Sequence, residues 1–337
     1  MNATMLLVLG IIVVCCCVCF YLCTEFVFTP TSTPTQTQTQ ASMPKQIQPV
    51  TLVPLITTTK TTKTTNATTR TFPGTAVPAR VVCTYFAHTE HDLDKTLQES
   101  LNSWRSDKTG IKPDIIYYND THARAFLAQH FAQEGAAQAW DALVPGAYKA
   151  DVFRMCEIFV NGGVYCDIKC RRIAPFAALV GSHGTITLER HELGLWNGFF
   201  AAPPRAAWVG ACITRILANV RNRAYGTSML DITGPSAMGR SFRAHAGLSD
   251  TTTSCEFVRT SDKADKAKDW QQHGESIRIL AMRASNSDFF DIVSGPFALQ
   301  PAFRSGDAAY FATRRNKDPK SCYGHAYSNQ LVYAPAG

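Results

Sequence analysis

Long runs of positive charge are missing from this chain of 337 residues. Its 33 Lys and Arg against 26 Asp and Glu give a formal charge of +7, spread along the sequence rather than gathered. Nucleic-acid binding leaves a concentrated basic patch or stripe, so no nucleic-acid partner is expected. A mild positive balance suits an anionic substrate without selecting one. Zinc-ligand spacing is missing too. Cys166-Asp-Ile-Lys-Cys170 is a lone pair with no second pair downstream, which excludes the common structural zinc patterns. No internal repeat occurs.

Charge is absent from Met5 to Cys23, which read MLLVLGIIVVCCCVCFYLC. The run has about the length a membrane helix needs. A cleaved signal peptide has a shorter apolar stretch after a basic start, and here no Lys or Arg precedes the run. The expectation is a short tail over residues 1–4 and a transmembrane signal-anchor over residues 5–24, with a cleaved signal as the alternative. Flanking charge does not orient it, since the nearest basic residue is Lys45.

Large apolar residues are scarce in the next segment, where Thr, Pro and Gln dominate from Thr29 to Thr71. Burial there cannot offset chain entropy. Residues 25–77 therefore read as a stem, either O-glycosylated, as Ser/Thr with Pro suggests, or an unmodified linker. Sequons at Asn66 and Asn119 fit a secretory lumen for everything after the anchor. Of the twelve cysteines, five lie in the apolar run. In an oxidising lumen some of the other seven (Cys83, Cys156, Cys166, Cys170, Cys212, Cys255, Cys322) would form disulfides, with at least one left over.

A globular region is expected over residues 78–337. Val81–Phe86 and Asp114–Tyr118 read as buried strands. Leu93, Leu97 and Leu101 mark a helix between them, and Thr121 is a candidate cap for the helix that follows. Strands alternating with helices predict an α/β fold with a mostly parallel central sheet flanked by helices. The polar segment Thr251–Ser276 reads as a surface insertion.

The informative stretch runs from Ala147 to Lys169. Val152, Met155, Cys156 and Phe159 follow the helical period, which predicts a helix over 148–160. Gly162 and Gly163 end it with a left-handed turn. Val164-Tyr-Cys is a short strand, and Asp167 stands at its C-terminal end, where open α/β sheets bind ligands. Asp151 and Arg154, three apart, share a helical face, and the tight return brings Asp167 near it. Two carboxylates and a guanidinium suit sugar hydroxyls, and a strand-end carboxylate can hold a divalent cation bridging a diphosphate. The same spacing would also serve a surface ion pair beside an ordinary glycine cap.

The stretch resembles the glycosyltransferase family 32 pattern, the sugar-binding region containing a DXD motif. Ala150-Asp151, Arg154, Gly162-Gly163-Val164-Tyr165 and Asp167 carry the likeness. Asn197-Gly-Phe-Phe-Ala-Ala-Pro, Thr233-Gly-Pro-Ser-Ala-Met238 and Gly324-His325-Ala-Tyr-Ser-Asn329 resemble further family segments in the right order. The resemblance implies a GT-A-like catalytic domain in a single-pass type II membrane protein of the Golgi or another secretory membrane. It also implies transfer of a hexose from a UDP- or GDP-sugar to a glycan, glycolipid or glycoprotein acceptor, with retention of configuration and no assigned base or nucleophile. Asp151, Arg154, Tyr165, Asp167, Lys169 and Asn197 would bind the donor, and Gly234 and Pro235 would shape the acceptor side. Asp167 and His325 would hold Mn²⁺ or Mg²⁺. Lys169 departs from the pattern, because it stands where the second Asp belongs. Either Asp167 with a C-terminal group holds the ion, or Lys169 partly replaces it. Glu189, Glu192 and Asp231 are read as structural or solvated. The competing readings are a sugar-binding protein without catalysis and a membrane-tethered mucin-like surface protein. A glycoside hydrolase would need paired carboxylates across a cleft, and no such pair is identified.

Overall fold

Arg80–Thr84 (β1) has four consecutive buried residues, Val81, Val82, Cys83 and Thr84. A strand buried on both faces is an interior strand, and β1 pairs in parallel with Asp114–Tyr118 (β2) on one side and Gly163–Cys166 (β3) on the other. The computed structural model describes residues 70–188, 194–249, 269–272, 274–284, 290–293, 301–305 and 323–335. The expected signal-anchor, the expected stem as far as Thr69, Asn66, Glu189, Glu192, Cys255 and Cys322 lie outside the described residues.

The remaining strands are Cys170–Arg172 (β4), Thr185–Leu188 (β5), Phe199–Ala202 (β6), Asp269–Gln272 (β7), Glu275–Ala284 (β8), Phe290–Val293 (β9) and Pro301–Ser305 (β10). Among the described residues they form one sheet in the order β2-β1-β3-β6-β5-β8-β9-β10-β4, with β7 alongside β8. The expected mostly parallel sheet is corrected to a mixed one. Among the described strands only β1 with β2, β1 with β3 and β5 with β8 run parallel. The β3–β6, β5–β6, β7–β8, β8–β9, β9–β10 and β10–β4 pairs run antiparallel. Parallel neighbours need a long crossover, and β8, β9 and β10 follow one another too closely for one.

Helices flank the sheet: Lys95–Asn102 (α1), Asp120–His130 (α2), Ala136–Ala142 (α3), Gly146–Asn161 (α4), Phe176–Leu179 (α5), Ala207–Arg221 (α6), Pro235–His245 (α7) and Tyr323–Ser328 (α8). Two buried clusters result. One holds α4, α6 and α7 side chains such as Phe153, Trp208 and Phe242. The other gathers Leu97, Trp104, Phe176 and Phe199. Among the described residues no helix is long and apolar enough to cross a membrane.

Three local expectations change. The folded region starts before residue 78: Phe72 and Val77 are buried, Thr71 bridges Pro78, and the Phe72 ring lies 5.1 Å from that of Phe176. Asn119, not Thr121, caps α2, its side-chain oxygen accepting from His122 N at 2.8 Å. Its Nδ2, the atom a glycan would occupy, donates to His88 O at 2.9 Å, and the residue is buried. The described end of the Thr251–Ser276 segment, read as a surface insertion, pairs into the sheet as β7 and the start of β8. The five described globular cysteines, Cys83, Cys156, Cys166, Cys170 and Cys212, are buried free thiols, with Cys83 Sγ 3.3 Å from Cys166 Sγ.

The α4–β3 turn is as the glycines required. Gly162 has φ 65° and Gly163 has φ 106°. A Cβ on Gly162 would stand 2.6 Å from Pro204 Cδ and 2.9 Å from Pro78 Cδ. Neither ring can swing away, so Gly162→Ala combines backbone strain with overpacking. A loss of roughly 2 kcal/mol or more is expected from urea unfolding, and an unchanged midpoint would contradict the packed turn.

Candidate functional site

The β1, β2 and β3 strands are parallel, so their C-terminal ends share one edge of the sheet. Asp167 follows β3 directly. The β3–β6 ladder places Cys166 opposite Phe199, and Asp167 N donates to Gly198 O at 2.8 Å. Asn197 therefore meets Asp167 at that edge. Gly198 has to be small, since a Cβ there would lie 2.5 Å from the Trp196 ring and 2.8 Å from Asp167 Oδ2. Helix α4 packs behind β3 and points Asp151 and Arg154 at the same place.

Arg154 is the centre of the cluster. Its Nη2 lies 3.1 Å from Asp151 Oδ1 and its Nη1 lies 3.2 Å from Asp167 Oδ1. Nη1 also donates to Asn197 O at 2.7 Å, Nε donates to Ala150 O at 3.2 Å, and the guanidinium sits 4.5 Å over the Tyr165 ring. Burial opposes its charge, but Tyr165, Asp167 and Asp151 together hold it above the ordinary arginine range. Asp151 accepts from Asn197 Nδ2 at 3.0 Å, Thr233 Oγ1 at 2.8 Å and Tyr323 OH at 3.3 Å. Tyr323 in turn stacks on Tyr148 with centroids 4.1 Å apart. Burial pushes the Asp151 carboxyl up to about 6, against the opposing pull of Arg154 and Thr233.

The structure thus brings Asp151, Arg154, Tyr165, Asp167 and Asn197 together, and it divides them. Asp151, Arg154 and Asn197 are 3%, 5% and 4% exposed, and their polar atoms pair with each other and with Asp167, Ala150, Thr233 and Tyr323. Asp167 and Lys169 face outward, with side chains 20% and 38% exposed. Asp167 Oδ1 accepts from Tyr165 OH at 3.3 Å, and its Oδ2 stands 3.6 Å from Lys169 Nζ. Gly234 and Pro235 start α7 next to Thr233, and a Cβ on Gly234 would meet Tyr323 OH at 2.5 Å. His325 is exposed and interacts with Asn329, whose Nδ2 lies 3.4 Å from its Nδ1 and donates to its carbonyl at 2.8 Å. No described contact joins His325 to Asp167. Asp231 is structural, its Oδ2 accepting from Thr227 Oγ1 at 2.7 Å and its Oδ1 facing Arg240 Nη2 at 3.2 Å.

Among the described residues no three His, Cys, Asp or Glu side chains gather as a metal site, though a cation shared with a diphosphate needs fewer protein ligands. The donor set is ill-suited to one: each Asp167 oxygen already has a cationic side chain within 3.6 Å.

Sequence reasoning missed Thr233 and Tyr323 as partners of Asp151, although Thr233 opens one of the quoted segments and Tyr323 directly precedes another. It also passed over Phe86. That ring is 65% exposed just beyond the C-terminal end of β1 and lies 4.1 Å from the Tyr85 ring.

With this geometry in place, comparison with known proteins turns up enzymes of one kind. The chain is 29% identical over 107 residues to the initiation-specific alpha-1,6-mannosyltransferase of Candida albicans. The compared proteins are glycosyltransferases. That match covers 31% of this chain and 28% of the relative, so the chain spans under a third of the enzyme it matches. Among solved structures, the PaToxG glycosyltransferase aligns at 14% identity and TM-score 0.38 over 51% of this chain and 70% of its own. Mouse xyloside xylosyltransferase 1 aligns at 9% and 0.30 over 50% and 83%. No family model matches the chain.

Two outcomes follow from the cluster. Replacing Arg154 with Met leaves two carboxylates without their shared counter-charge, one of them buried, and should lower unfolding free energy by about 3–5 kcal/mol. Lys169→Met, on a partly exposed side chain, should change it by no more than ~0.5 kcal/mol; equal effects would contradict the burial difference. The raised Asp151 pKa fixes a sign. Between the usual carboxylate range and pH 6 the folded chain keeps a proton that the unfolded chain has released. The Asp151 contribution to stability therefore declines as pH rises toward 6 and is level above it. Asp151→Asn should flatten that part of a stability profile measured by urea unfolding from pH 4 to 8, and an unaltered slope would be a contradiction.

Proposed function

We propose that this chain is a glycosyltransferase that moves a hexose from a nucleotide-diphosphate sugar to a glycan, glycolipid or glycoprotein acceptor. One observation carries the reading. A hydrogen-bonded acid–guanidinium–acid cluster ends in a part-exposed Asp167 and Lys169 at the C-terminal edge of three parallel strands. That edge is where open α/β sheets take nucleotides. The local likeness to a mannosyltransferase supports the same reaction class.

In this reading Asp167 and Lys169 meet the donor, and Asp151, Arg154, Tyr165 and Asn197 hold them in place. The exposed Phe86 ring offers a stacking surface for the base. Gly234 and Pro235 border the acceptor side. The C1–oxygen bond to the β-phosphate breaks as the acceptor hydroxyl oxygen bonds to C1. The acceptor proton passes to a phosphate oxygen of the leaving nucleotide diphosphate. Such a front-face displacement needs no enzyme nucleophile and retains configuration. A positive charge beside the leaving phosphate lowers the barrier. Membrane attachment through residues 5–24, type II in the Golgi or another secretory membrane, belongs to the proposal on the composition of that run alone. Lys169 in place of a second acid favours one alternative, a sugar-binding protein without turnover.

A thermal-shift screen of the full chain against UDP, GDP and their hexose derivatives tests the reading. A ligand that binds the folded state raises the melting temperature by mass action, by ~2.7 kcal/mol of stability at a hundredfold excess over Kd. Asp167→Asn should shrink that shift, measured from the variant's own ligand-free melting temperature. No shift with either nucleotide would refute the proposal, and binding without donor hydrolysis would favour the alternative.

A further inference from the structure

The Asp167–Ile168–Lys169 turn is fixed at both ends and in the middle. Asp167 N donates to Gly198 O and Cys170 N donates to Asp167 O, both at 2.8 Å, while Ile168 is buried against the second core cluster. The Lys169 side chain therefore leaves from a set point on the sheet edge. Its ammonium stands 3.6 Å from Asp167 Oδ2. The other Asp167 oxygen is occupied by Arg154 Nη1 at 3.2 Å and Tyr165 OH at 3.3 Å. A Mg²⁺ bound to Oδ2 would sit about 2.1 Å from that oxygen. It would share the carboxylate with an ammonium of like sign. Two acids and two bases (Asp151, Asp167, Arg154, Lys169) leave the cluster neutral, whereas a cation site works by excess negative charge.

We propose that Lys169 itself is the positive group for the donor diphosphate, so that nucleotide binding here does not depend on a divalent cation. The inference rests on the nucleotide-sugar reading of the site. An ammonium is a compact charge with three donors and binds phosphate directly. Asp167 holds it at the edge from one side, and Arg154 orients Asp167 from the other. As the glycosidic bond breaks, the charge that grows on the leaving diphosphate falls beside the Lys169 N–H groups.

Titration calorimetry of the full chain with UDP and with GDP, in Mn²⁺ and in EDTA, tests this. The parent chain should bind one of them with Kd values that agree within about threefold in the two buffers. Lys169→Met should weaken binding about tenfold or more in both. Lys169→Asp restores a second acid two residues after Asp167. It should lose binding in EDTA and recover it in Mn²⁺, with the melting temperature of the ligand-free protein unchanged in both variants. Parent binding that collapses in EDTA overturns the inference and leaves the nucleotide-sugar reading standing. Failure of the parent chain to bind either nucleotide in either buffer overturns both.

Discussion

One guanidinium bridges the two acids of this site, and much of the local architecture serves to keep it there. Arg154 reaches Asp151 on its own helix and Asp167 beyond the next strand, with the Tyr165 ring beneath it and the Asn197 carbonyl beside it. A charge that deep is tolerated only when paired and hydrogen-bonded. The pairing also explains the division of labour. The buried members cannot move independently, so the two part-exposed members, Asp167 and Lys169, are presented in one arrangement. Preorganisation of this kind is what an electrostatic site needs, because dipoles that are already aligned need not reorganise when charge develops.

The cluster depends in turn on the geometry of α4 and β3. Their connection reverses in two glycines at positive φ, packed so closely against Pro204, Pro78 and Arg80 that side chains would not fit. Buried Glu157, one turn further along α4, takes Arg80 Nη2 at 2.6 Å and ties the end of that helix to β1. The antiparallel β3–β6 ladder then carries Asn197 back across the edge. Sheet order and site are thus one constraint: β3 lies between β1 and β6, and the ends of β1 and β3 and the start of β6 contribute Phe86, Asp167 and Asn197.

The centre of the site was legible in the sequence because it lies on one continuous stretch. Helical spacing, the paired glycines and the strand after them determine where Asp151, Arg154 and Asp167 go, whatever the rest of the chain does. Asp151's other partners were not legible. Thr233 and Tyr323 reach it from 82 and 172 residues away, and no local pattern encodes such a meeting. Burial escaped for the same reason. Asp151 is enclosed by Asn197, Thr233, Tyr323 and Arg154. The sheet failed by analogy: alternating strands and helices in the first half suggested parallel pairing throughout, while the second half adds strands by short returns. The contact of Asn119 with His88, 31 residues away, was equally illegible.

What unites these features is the claim that a preorganised acid–guanidinium–acid cluster presents Asp167 and Lys169 to a nucleotide diphosphate. A crystal structure of the full chain grown with UDP or GDP tests it most directly. The account predicts phosphate density at the C-terminal edge of β1 and β3, in contact with Lys169, with the Arg154 pairs to Asp151 and Asp167 intact. A nucleotide seated elsewhere on the protein, or an Arg154 released from both acids when it binds, would contradict it.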